Sequence, residues 1–378
     1  MSSTAMESAT PAFVAAKKVY LLVLNRADLL VSQELTRLLA SVSSSKEECG
    51  CRIFLAVPSA FHEHARVWMK DIEKSINGQS GTTLEILRYT TNQTVAECRE
   101  QAQQLVQQLQ KQFNISHIDG LVFNCHGALP GRYNVVVENR NGVSGGGVLE
   151  MVRYKVLGLM VLLEALLQHK LLKSSKLGTN EETSTPSCRV IVAGSEASRG
   201  IPGMGFPAPQ FKDDTVESFI SILNGSGLVT KNGNIVYGHV EAILSLYIGA
   251  MARKHPGIFF GTLSPGFTQD SLNYQLTIEK GFLNRLLMAV FLYVLHPSMV
   301  TEDKAVDFTD AAKRFLCAIT GELDEGLPQF STGALIGAPD QGISGKVFCD
   351  QSTLSDGAFL TDTTKQDLAY RALHKFLD

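Results

Sequence analysis

Six short apolar runs alternate with longer segments of helical spacing, and this alternation restricts the fold more than any other feature of the chain. The runs are Val19 to Leu24, Arg52 to Val57, Thr83 to Tyr89, Ile118 to Asn124, Cys188 to Ala193 and Ile258 to Leu263. Gly345 to Cys349 offers a seventh that would close the sheet. Helical spacing covers Ser32 to Leu39, Phe61 to Ile76, Val148 to Leu171 and Tyr237 to Arg253. A further helix runs to Phe113 from Thr94, with Glu97 placed for a capping box. The runs are mostly apolar and do not alternate, so the strands are read as buried on both faces, which implies parallel pairing through crossover helices. Right-handed crossovers then give a doubly wound α/β sheet, with ligands at the carboxyl ends of its strands.

The 378 residues suffice for one large domain or two smaller ones. The pattern predicts a flexible tail over 1–17, one domain over 18–350 and a helical C-terminal extension over 351–378 that forms an extended cap. Interruptions fall at 172–187, 200–234 and about 268–340. The second, rich in Gly and Pro, lies where a lid over a substrate would be.

A formal net charge of −3 provides no basic field, so nucleic acid is not an expected partner. Seven cysteines at scattered spacings do not form a disulfide framework, and a reducing compartment is expected. Cys49-Gly50-Cys51 is read as a loop, and a single Cys-x-Cys gives little ground for a metal; none is expected. The longest apolar stretches, Val156 to Leu167 and Leu286 to Leu295, are too short to span a bilayer, so no transmembrane helix is expected. The Val156 helix is apolar almost all round, which fits burial on every side or a subunit interface. The segment from Gly281 to His296 fits a packed helix, a lid, or a surface for peripheral membrane contact.

Four local segments carry candidate chemistry. Asn124-Cys125-His126-Gly127 follows the fourth run, and Arg189-Val-Ile-Val-Ala-Gly-Ser195 forms the fifth and its exit. Tyr237 opens an apolar helix, and Ser264-Pro265-Gly266 follows the sixth run. In this order the segments resemble the short-chain dehydrogenase/reductase superfamily, which implies a Rossmann-like fold. About forty residues separate Ser195 from Tyr237. That spacing, with Val300-Thr-Glu-Asp-Lys-Ala and Ala311-Ala-Lys-Arg-Phe, is similar to light-dependent protochlorophyllide reductase and its relatives. The cysteine of that subfamily is Ile243 here.

The resemblance implies Ser195 and Tyr237 as catalytic, and Arg26, Asn124, Pro265 and Gly266 as contacts to an NADP-type cofactor. Two departures stand against it. The three glycine positions of the phosphate-binding turn carry Arg26, Leu30 and Ser32, where bare backbone should face pyrophosphate. Arg26 either contacts phosphate itself or is an exposed loop residue. The strand before Pro58 ends without the acid or base that selects the cofactor. Secondly, the lysine expected one helical turn after Tyr237 is Glu241, and Lys155 stands where a supporting asparagine is implied. A carboxylate raises the tyrosine pKa instead of lowering it. The two helices are neighbours in this fold, so Lys155 is expected to pair with Glu241. The pair either restores an ammonium group near Tyr237 or only neutralises a buried acid.

Two functions follow. One is a catalytically impaired descendant that acts as a binding or structural subunit, as a homodimer or within a plastid, mitochondrial or cytoplasmic assembly. The other is an NADP-dependent oxidoreductase of an apolar substrate using Tyr237 and Ser195.

Overall fold

A computed structural model describes residues 17–25, 30–45, 50–76, 81–91, 93–125, 135–137, 147–172, 188–200, 207–227, 233–265, 307–321, 335–336 and 358–377. The six apolar runs are strands, with limits shifted by a residue or two. They are β1 (Lys18–Leu24), β2 (Cys51–Val57), β3 (Thr83–Arg88), β4 (Gly120–Asn124), β7 (Arg189–Ala193) and β8 (Phe259–Leu263). A short hairpin, β5 (Val135–Val137) with β6 (Gly147–Leu149), forms a separate two-stranded sheet. The main sheet has the order β3-β2-β1-β4-β7-β8-β9, parallel throughout except that β9 (Leu335–Ile336) runs antiparallel to β8. This is a doubly wound α/β sheet whose strand order reverses between β1 and β4. The expected strand at 345–349 lies outside the described residues, and Leu335–Ile336 occupies the seventh place.

Helices cover both faces. Below lie α1 (Leu30–Ser45), α2 (His62–Ser75) and α8 (Phe308–Thr320), around Leu22, Leu35, Ile53, Trp68 and Phe315. Above lie α3 (Val95–Gln107), α4 (Glu150–Val152), α5 (Gly158–Gln168), α6 (Val216–Leu223), α7 (Gly233–Lys254) and α9 (Thr363–His374). Burial is continuous in the inner strands, with six of seven β1 residues buried, because both faces are covered, whereas the edge strand β3 buries only Leu84 and Leu87.

Local chemistry sets the ends. Thr94 and Glu97 form the expected capping box before α3: Thr94 Oγ1 accepts from the Glu97 N–H at 3.3 Å, and the Glu97 carboxylate accepts from the Thr94 N–H at 2.9 Å. Gly321 ends α8 in the left-handed region, with φ of 75°.

Three expectations need correction. The helix read from Val148 starts later, because Gly147–Leu149 pairs with Val135–Val137. It then passes through a π turn, Arg153–Leu157, before α5. Tyr237 does not open its helix; α7 starts at Gly233, so Tyr237 sits in its second turn. Cys51 is not in a loop but is the buried first residue of β2.

The apolar helices are explained inside one copy of the chain. Along α5, residues Gly158 to Leu163 are all buried. Helix α7 has 22 residues and a mean hydropathy of 1.4 in its most apolar window, yet 89% of that window is buried. It is long and apolar enough to cross a membrane, and here it serves as a core helix. Helix α9 covers it, with Tyr370 stacked on Tyr247 at 6.0 Å and Arg253 paired with Asp367 at 2.6 Å.

Candidate functional site

The carboxyl ends of β1, β4, β7 and β8 point to one region. They deliver Asn25, Asn124 with Cys125, Ser195, and Ser264 with Pro265. Helix α7 adds Tyr237 and Glu241, which share a face four residues apart. The π turn adds Lys155. Such a turn widens the helix and redirects side chains, and it occurs often at functional sites. Gly158, immediately after it, lets the helix press on the segment after β3. A Cβ at Gly158 would lie 2.8 Å from Thr91 Cβ, and the Gly158 carbonyl accepts from the Tyr89 hydroxyl at 2.6 Å. That close approach brings Lys155 inward.

Lys155 and Glu241 form a direct hydrogen-bonded ion pair, and both are buried, at 2% and 0% exposure. The Lys155 ammonium group lies 5.4 Å from the centre of the Tyr237 ring. Burial opposes the charge on Lys155, but the Glu241 carboxylate and then Tyr237 outweigh it and leave its pKa raised. Tyr237 is in hydrogen-bonding contact with Ser195 and with the Glu241 carboxylate. Its pKa is pushed up to about 12, first by burial and next by Glu241, with Lys155 and the Ser195 hydroxyl pulling part of the way back. Ser195 Oγ also accepts from the Ala197 N–H at 3.2 Å.

The raised tyrosine has a stability consequence. The folded state holds the phenol proton more tightly than the unfolded chain, so its contribution is complete below pH 10 and is lost as pH rises through about 12. Two pKa units correspond to about 3 kcal/mol. Denaturant titrations from pH 9 to 12 should show wild type losing stability relative to Tyr237→Phe, by an amount of that order. Parallel curves for the two proteins would show that Tyr237 is not so held.

Asn124 is buried, and its Nδ2 donates to Ser32 Oγ at 2.8 Å. Ser32, at the third glycine position, is therefore already engaged within the protein. Leu30, at the second, is the first residue of α1 and is exposed. A pyrophosphate needs bare backbone at this crossover, whose residues 26–29 lie outside the described residues. Arg26 and Gly266 lie outside the described residues. Pro265 is buried, and its carbonyl accepts from Arg314 Nη1 at 3.4 Å, so a side chain from α8 supports the turn after β8.

Sequence reasoning missed several neighbours. The Cys125 thiol is buried, which raises its pKa, while the Lys155 charge and contacts with Thr91 and the Asn25 backbone act in the opposite direction. Cys125 and Asn25 follow strands whose ends were legible, so position could have found them. Thr91 carried no signal. His239 was also missed. Its Nδ1–H donates to the Ile235 carbonyl at 2.7 Å, while Nε2 lies 2.8 Å from the Gln210 carbonyl and 3.2 Å from the Gln210 nitrogen. It ties part of the 200–234 insertion to α7.

No protein-family model and no curated protein matches the chain. Among solved structures, it is similar to a short-chain oxidoreductase from Pseudomonas aeruginosa PAO1 described as containing an atypical catalytic center (11% identity, TM-score 0.47, 80% of this chain and 90% of that one). It is also similar to a short-chain type dehydrogenase/reductase from Mycobacterium ulcerans (9% identity, TM-score 0.46, 80% and 82% covered). A third is the MalC reductase/Diels-Alderase from Malbranchea aurantiaca (10% identity, TM-score 0.47, 81% and 91% covered).

Proposed function

We propose that this chain is a divergent short-chain dehydrogenase/reductase-like protein that has kept the site but not hydride transfer, and that it acts as a binding or structural subunit. The observation that carries this is the buried Lys155–Glu241 pair beside Tyr237. A tyrosine acting as a proton relay needs its pKa lowered toward the working pH. Here burial and Glu241 raise it. The reading is also supported by the side chains of Arg26, Leu30 and Ser32 at the three positions where a pyrophosphate needs bare backbone. The long segment between Ser195 and Tyr237 is similar in spacing to protochlorophyllide reductase-like members, and Ile243 speaks against pigment reduction.

One observation favours the alternative, an NADP-dependent oxidoreductase of an apolar substrate. Lys155 still puts a cation against the Tyr237 ring, and Ser195 still contacts Tyr237. Thermal unfolding with NADPH and NADH separates the two. Ligand-linked stabilisation grows as RT ln(1 + [L]/Kd), about 2.7 kcal/mol at a hundredfold excess over Kd. No shift is expected at millimolar cofactor. A clear shift would restore the oxidoreductase reading, and Tyr237→Phe would then test the chemistry.

A further inference from the structure

Residues 207–214 have no regular secondary structure, and among the described residues none of them makes a backbone–backbone hydrogen bond. The sequence permits this. Pro207 and Pro209 have no N–H to satisfy, and Pro209 restricts Ala208 to extended backbone, so the stretch is stiff before it docks. Side chains hold it in place. The Gln210 main chain meets His239 Nε2 through its oxygen at 2.8 Å and its nitrogen at 3.2 Å. The Phe211 ring stacks on Phe219 of α6 at 4.6 Å and stands edge-on to His239 at 5.7 Å, with Phe359 at 6.0 Å. Asp214 pairs with Lys365 of α9. A surface ion pair contributes little and packed rings contribute more, so Phe211 is the main fastening.

The stretch also bridges the two segments that carry Ser195 and Tyr237. A Cβ at Gly200 would lie 2.5 Å from the Ala208 backbone, and Gly200 has φ of 90°, so only glycine lets the turn after β7 pass against Ala208. A Cβ at Gly238, next to Tyr237, would lie 2.9 Å from the Ala197 carbonyl oxygen and 3.6 Å from Pro209 Cγ. The turn is closed by its own hydrogen bonds. Ala197 N–H donates to Ser195 Oγ at 3.2 Å, Ser198 N–H to the Ser195 carbonyl at 3.0 Å, and Gly200 N–H to the Ala197 carbonyl at 3.2 Å.

We propose that residues 207–214 are a releasable strap that clamps the Ser195 turn to α7, with Phe211 as its catch. Scarce backbone hydrogen bonds and exposed residues mark the parts of a fold that open first, and Gln210, Lys212, Asp213 and Asp214 are exposed. The neighbours on either side are fixed. Helix α6 is seated by buried Phe219, Ile222 and Leu223, and α9 by buried Leu368 and Leu373. Lifting the strap uncovers the Ser195 turn and loosens its hold on the helix that carries Tyr237. The inference rests on Ser195 and Tyr237 forming the site of the proposed function, and not on whether a dinucleotide binds there.

Residue-resolved hydrogen–deuterium exchange of the full chain, without ligand, tests it. Phe211→Ala should speed exchange of the Gln210, Ala197, Ser198 and Gly200 amides together, by about tenfold or more, and leave the α6 and α9 amides unchanged. Lys365→Glu should speed the same four amides by about threefold, and adding Asp214→Lys should return them to the wild-type rate. If Phe211→Ala does not fold, this reversal series decides. A rise shared equally by α6 and α9 shows that the strap comes away only with the whole fold, and it overturns the proposal. So does faster exchange at Gln210 with the turn amides unmoved, a reversal that Asp214→Lys does not rescue, or no change at any of the four amides. With no ligand present, each of these results is independent of the cofactor titration that tests the proposed function.

Discussion

Replacing Lys155 by methionine should cost about 3–5 kcal/mol of stability, because it strands a fully buried carboxylate. Glu241 then keeps only the contact with the Tyr237 hydroxyl, without its ion-pair partner or water. The side chain must take up a proton or open the packing around α7 and the π turn. An unpaired buried acid has a raised pKa, so the variant should regain stability as pH falls, opposite to ordinary acid denaturation. Replacing both residues, Lys155→Met with Glu241→Leu, removes the desolvation penalty along with the attraction. That double variant should lie near wild type or above it, as buried pairs exchanged for apolar residues often do. Urea midpoints at constant slope read both effects. A single variant that costs less than about 1 kcal/mol would mean that Glu241 is hydrated, and the account of Tyr237 would go with it.

Deleting residues 358–378 should prevent cooperative folding. Leu360, Leu368, Leu373, Phe376 and Leu377 are all buried against the upper core, with Leu368 and Leu373 on α9 facing α7. At about 1.5–3 kcal/mol for each large apolar side chain, the five together contribute about 8–15 kcal/mol, an upper estimate because unfolded chains already bury some surface. That matches the whole stability of an ordinary domain, about 5–15 kcal/mol. Deletion would also uncover an α7 apolar enough to aggregate or to enter a membrane. Circular dichroism and solubility check the outcome, and Leu373→Ala, at about 2–5 kcal/mol, gives a graded version. A soluble truncated chain with a sharp unfolding transition would show that α9 is an ornament on a complete domain.

The parallel sheet was legible because its inner strands are buried on both faces and so read as mostly apolar runs without alternation. The Thr94–Glu97 box was legible because a capping box is written in residues three apart. The Lys155–Glu241 contact was also within reach, since once the helix order is fixed, two unusual charges on neighbouring helices have few other partners. The hairpin of Val135–Val137 with Gly147–Leu149 was not legible. Three residues per strand give too short a pattern, and Val148 suits the helix that follows as well as it suits a strand. Nor was β9, which is two residues long.

The site divides in the same way. Sequence alone determined which residues stand at the strand ends and that an acid follows Tyr237, because local periodicity and spacing place them. The tertiary structure decided which of them touch. A π turn and a close approach at Gly158 accompany the burial of Lys155, desolvation and Glu241 raise the Tyr237 pKa, and Asn124 engages Ser32 on α1. Those outcomes depend on desolvation and on contacts between segments distant in the chain, and no local pattern of residues encodes either.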